Sequence, residues 1–246
     1  MEASEFVHYS LLQSSLLWVH IVLFVLWLGA DMGVYLAHLQ IINRKLSTEA
    51  RFTAAGIMRV IDFFPRVSMT LFLASGVSLM ALNPLGEPFR GWPLVTILLL
   101  CLLWAGVTIY LFRRSGRPPS SPDRLGHFLE RADFIGKAVV ALAIAAIAIY
   151  VMVTPAPFGA TSNPTWLGAK VLLYAIAVGS AVGMERVLLP FGQAFTKLAE
   201  SGSSPEVERQ LGKTLRGARP YAYTIWICVA LAAFLGLWKP GSTFGL

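Results

Sequence analysis

Six predominantly apolar stretches, residues 11–42, 67–82, 92–112, 138–153, 166–191 and 221–238, alternate with short polar segments along the chain. An α-helix rises about 1.5 Å per residue, so about twenty apolar residues cross a bilayer core. The pattern predicts an all-α polytopic bundle of six transmembrane helices, forming one integral membrane domain over residues 1–246. The first stretch exceeds a simple crossing, which predicts tilt or an extension beyond the lipid. The second is short by itself. It gains length if its helix starts before Pro65, through residues 56–64.

Charge orients these spans. Seventeen of the twenty Lys and Arg residues fall in three alternate segments, 43–66, 113–137 and 186–219. The other side holds only Arg90 and Lys239, and Lys170 lies within a span. Basic connections are retained in the cytoplasm, so both termini are expected outside, with the chain in a bacterial cytoplasmic membrane. Trp18, Trp92, Trp166 and Trp238 then fall near the outer interface, as an aromatic belt would place them. Connections 83–91 and 154–165 are short and rich in Pro and Gly. Segments 117–123 and 201–205 read as helix-breaking cytoplasmic turns.

Composition agrees with lipid as the solvent: 56% of residues are hydrophobic and 13% charged, against roughly 25% charged in a soluble domain. The net charge of +7 does not imply nucleic acid, because the basic residues are confined to connections rather than one face. Cys101 and Cys228 lie in apolar runs and read as small core residues. The first apolar run has no cationic leader or small-residue cleavage site, so it reads as a retained span.

Ionisable groups inside a span are costly and mark candidate sites. At 100° per residue, His20, Trp27, Asp31 and His38 share one face of the first helix, a stripe expected to face the bundle interior. Gly29 and Gly33 form a small-residue notch that would admit a neighbouring helix or a flat cofactor. His20 and His38 lie about 27 Å apart along the axis and cannot ligate one metal. Lys170 enters the fifth span at about the depth of His20. It reads either as an interfacial lysine or as the ammonium of an outer pocket shared with His20. Asp31, Arg59, Arg66, Glu185 and Arg186 gather near the cytoplasmic edge. They suit structural pairing, binding of the carboxylates of an anionic cofactor, or a proton path.

Three motifs carry a family resemblance. His20-Ile-Val-Leu-Phe-Val-Leu-Trp27-Leu28-Gly29 resembles the opening helix of HemJ-type protoporphyrinogen IX oxidases and the related CopD-type membrane proteins. Met58-Arg59 through Pro65, Met69, Thr70 and Gly76 resembles the HemJ second helix. Trp166-Leu167-Gly168-Ala169-Lys170 resembles the third-helix signature, in which a required Lys follows Trp-Leu. Arg216 and Pro220 resemble the start of the final helix. The family plan has four helices, so residues 92–153 contribute two more between its second and third. The resemblance implies haem b, with His20 as axial ligand, Lys170 as a second essential, catalytic group, and Trp27, Arg59 and Arg66 in the cofactor region.

No second histidine lies at suitable depth in any span, so a bis-His electron-relay site is missing within one chain. A single His leaves either an open coordination position or a weaker partner, and an open position suits substrate or oxygen chemistry better than electron relay. The leading expectation is a haem-b membrane oxidoreductase with a porphyrin or quinone partner. Copper handling of the CopD type is the alternative, but Met32, Met58, Met69, Met80, Met152 and Met184 are scattered in depth. A non-enzymatic haem sensor or assembly subunit is the third reading. Self-association as a homo-oligomer is left open.

Overall fold

The computed structural model describes residues 11–82, 84–115, 123–159 and 165–240. Their regular structure is helical throughout: α1 Leu11–Ile41, α2 Thr48–Ala81, α3 Trp92–Arg114, α4 Arg124–Val153, α5 Thr165–Ser201 and α6 Pro205–Trp238, with 3₁₀ turns at Pro84–Phe89 and Pro157–Gly159. All six are long and apolar enough to cross a membrane. The chain is an integral membrane protein. Residue 83 and residues 117–122 and 160–164 of the expected connections lie outside the described residues.

The helices form two rows of three. Packing runs α1–α2–α3 in one row and α4–α5–α6 in the other, and α1 meets α6, α2 meets α5 and α3 meets α4 across the middle. The connections α1–α2 and α5–α6, with the C-terminus of α3 and the N-terminus of α4, mark one end of the bundle, the basic end. The core is built from Trp27, Met69, Phe72, Tyr174, Val178, Ile225 and Val229. Leu99, Leu102, Leu103 and Leu142 point outward, where lipid tails are as apolar as they are.

Several helices run beyond the hydropathy boundaries. Pro65, Pro190 and Pro220 each sit inside a continuous helix, although proline removes a helical N–H and crowds the preceding turn. The expected start of α2 before Pro65 is observed, at Thr48. The apolar spans 166–191 and 221–238 lie within longer helices: α5 continues to Ser201 and α6 begins at Pro205, so the helix break falls at the expected turn 201–205. Polar caps explain the early starts. Ser47 accepts the Ala50 N–H, Asp123 that of Gly126, and Ser204 that of Val207, satisfying donors that a helix leaves open. At Asp123 this N–H, reinforced by the Arg114 guanidinium, holds the carboxyl below its ordinary range.

The basic end has its own clamp. Arg51, 2% exposed, donates from Nε to the Ile41 carbonyl at 2.5 Å and in a two-pronged contact to Glu208 at 2.7 and 3.2 Å. One side chain therefore ties the end of α1 and the starts of α2 and α6. Beside it, Leu198 and Leu211 close the α5–α6 hairpin. At the opposite end Trp18, Trp92 and Trp238 are exposed, and Trp166 is half-buried.

Candidate functional site

The polar stripe on α1 faces inward: His20, Trp27, Asp31 and His38 are all buried. Of the two notch glycines, only Gly33 receives a close neighbour. A Cβ there would stand 3.4 Å from Ile61 of α2, whereas nothing approaches Gly29.

His20 meets α2. Its Nδ1 lies 2.8 Å from Ser75 Oγ, and Ser75 Oγ donates to the Phe72 carbonyl at 3.1 Å. With the hydroxyl proton committed there, Ser75 Oγ accepts from Nδ1–H. That selects the tautomer whose lone pair is on Nε2. The imidazole stacks on Phe72 at 3.9 Å between ring centres and 23° between planes. Gly76 keeps the space beside Cε1 free of a side chain, since a Cβ there would come to 3.5 Å. The ring is therefore buried and fixed in orientation by one hydrogen bond and one stacking contact.

Below this pair the core closes. Trp27 stands edge-on to Phe72 and Tyr174, at 5.7 and 5.9 Å, and Tyr174 donates from α5 to the Met69 carbonyl at 2.8 Å. Above it lies a cavity of about 460 Å³ lined by Leu12, Leu16, Ser78, Ala81, Leu82, Arg90, Gly91 and Leu94. Leu16 is one turn before His20, and Ser78 is about one turn after Ser75. The cavity therefore continues the α1–α2 seam outward from the imidazole. Its size falls within the roughly 300–1,000 Å³ of small-molecule and cofactor sites.

No family model matches the chain, and no curated protein or solved structure matches it. The site must be read from its own geometry.

Lys170 lies one turn before Tyr174 on α5, its Nζ lodged against Gly236 of α6; a Cβ at position 236 would stand 2.8 Å from it. The ammonium is within electrostatic reach of His20. No ion pair to Lys170 occurs among the described residues. The expected His20–Lys170 level thus contains one imidazole and one ammonium lacking a carboxylate.

Arg59 and Arg66 are not brought to this level. Arg59 is sixteen residues and Arg66 nine residues from Ser75 along α2, about 24 and 14 Å. Arg59 reaches the Phe112 carbonyl at 3.4 Å and lies over that ring. Arg66 pairs with Asp62 at 2.6 Å. Arg186 lies over the Phe134 ring, 4.1 Å from its centre. Arg90 lines the cavity while donating to the Ala81 carbonyl at 2.7 Å.

Sequence reasoning missed several buried polar groups, among them Ser75 and Lys137. Ser75 looked like any small residue of a span, and only the helix α1–α2 register joins it to His20. Lys137, counted among the loop cations, is 4% exposed and sits 2.5 Å from both Asp133 and Glu185. Trp104 donates to the same Asp133 at 3.0 Å. The low exposure of Cys101 and Cys228, both free thiols, matches their reading as core residues.

Proposed function

We propose that the protein is a haem-b-binding membrane oxidoreductase resembling the HemJ-type protoporphyrinogen oxidases, set in a bacterial cytoplasmic membrane with both termini outside. The observation that carries this reading is the His20–Ser75–Phe72 arrangement, a buried imidazole on the α1–α2 seam held through Nδ1 and stacked on Phe72. The donor chemistry fits haem b: a neutral imidazole can ligate haem iron, and Leu12, Leu16, Leu82 and Leu94 offer aliphatic surface nearby on the same seam. When bound, haem would be held by His20 and would supply one-electron redox chemistry.

The chain's own contribution is positional. Ser75 fixes the ring tautomer, Phe72 restricts its rotation, and Trp27 with Tyr174 excludes water from the inner side. Lys170 offers positive charge to a carboxylate of a porphyrin or another anionic partner, a role the distances deny to Arg59. A quinone suits the apolar cavity as electron acceptor.

Absorption spectra of the detergent-purified protein, oxidised and reduced, test the reading. A Soret band that is lost in His20→Ala and retained in His38→Ala is expected. A haem-free preparation that stays colourless when haemin is added, or a band unchanged in His20→Ala, overturns it.

A further inference from the structure

The inner half of the bundle holds a belt of charged groups in which all but one carboxylate has a cation. Asp62 pairs with Arg66 at 2.6 Å, and Asp133 and Glu185 share Lys137 at 2.5 Å each. Asp31 differs. It is 8% exposed, its Oδ2 accepts the Trp226 indole N–H at 2.6 Å, and no ion pair to it occurs among the described residues.

Its surroundings are specific. From α2, Asp62 and Arg66 face it from beyond ion-pair distance. From α6 it meets the neutral indole of Trp226. One turn on along α1, Tyr35 is hydrogen-bonded to Tyr223 at 3.1 Å, with Arg219 acting on Tyr35 electrostatically. A carboxylate in low dielectric, with one neutral donor and no paired cation, carries a desolvation cost of several kcal/mol. Taking up a proton converts it to a neutral acid and removes that cost, while the indole bond to Oδ2 can persist.

We propose that Asp31 is an intramembrane proton-binding site, loaded from the basic end past the Asp62–Arg66 pair. That pair is the charged group that acts on Asp31 from α2, and its side chains are only partly buried. The step is a protonation only: one proton enters, one negative charge is neutralised, and no electron moves. The site extends the stripe that begins at His20, about 16 Å away along α1 with Trp27 between. It places proton uptake in the same core as the proposed redox group and stands without that group.

Infrared spectroscopy of the full chain in lipid nanodiscs tests it. The wild type should show a protonated-carboxyl C=O stretch that shifts on ¹³C-aspartate labelling and vanishes as pH rises. The band should be absent in Asp31→Asn. Trp226→Phe should keep the band but move it to higher frequency, because the hydrogen bond is lost. This second variant decides the matter if Asp31→Asn does not fold. No labelled band at any pH at which the protein stays folded, or a band indifferent to both variants, overturns the proposal. So does a band seen only when choline replaces sodium, which would make the resident ion a metal cation. None of these outcomes depends on a Soret band, so failure here is separable from failure of the haem reading.

Discussion

Lys137 and Lys170 stand on neighbouring helices, α4 and α5, yet they are held in opposite ways. Lys137 on α4 is enclosed with two carboxylates, Asp133 and Glu185, at 2.5 Å. Lys170 on α5 lies against Gly236, near an imidazole and away from any described acid. In low dielectric, removing one member of a buried charge group strands the rest, whereas removing an unpaired charge strands nothing. The first lysine is therefore part of the fold. The second is a cost the fold carries, and the proposed function gives that cost a purpose, an anionic ligand.

Substituting each lysine separately breaks or sustains this contrast. Lys137→Met should lower stability by about 3 kcal/mol, the effect of stranding buried partners, read from thermal melts in detergent. Adding Glu185→Gln should recover part of it. Lys170→Met should leave the melt within about 1 kcal/mol of wild type, since no ion pair is broken, while weakening binding of an anionic porphyrin. Equal destabilisation by both substitutions would abolish the distinction.

The two lysines also show what a linear reading can and cannot reach. Hydropathy alone exposes all six helices, because lipid imposes one length and one polarity on every crossing. The α1 stripe is equally legible, since His20, Trp27, Asp31 and His38 repeat at helical spacing and all face inward. What spans different helices is hidden. Ser75 is fifty-five residues from His20, and Glu185 forty-eight from Lys137. No periodicity links such pairs, so Lys137 looked like a loop cation and Asp31 had no visible partner until Trp226 was placed beside it. Pro65, Pro190 and Pro220 each lie inside a helix, because neighbouring helices and caps sustain helix where local propensity would end it.

A smaller effect is expected at Ser75. Ser75→Ala leaves His20 in place but removes the acceptor that fixes its tautomer. Loss of such an outer partner typically weakens binding of the ligated group about 10–100-fold. Haemin titration followed at the Soret band should show that loss with little change in melting. Unchanged affinity would mean that Phe72 stacking alone orients the ring.

The mildest test alters the surface on which Lys170 rests. Alanine at position 236 would bring its Cβ to 2.8 Å from Nζ, too close for the ammonium to stay. The atom that must move is the tip of a flexible side chain, so the strain is small. Replacing Gly by Ala inside a helix also gains roughly 0.5–1 kcal/mol. Gly236→Ala should therefore melt at or slightly above the wild-type temperature. If Lys170 serves a ligand, the same substitution should still weaken binding of an anionic porphyrin in the direction of Lys170→Met. Higher stability with weaker binding separates a lysine positioned for chemistry from one positioned for packing, because packing alone predicts that the two would change together.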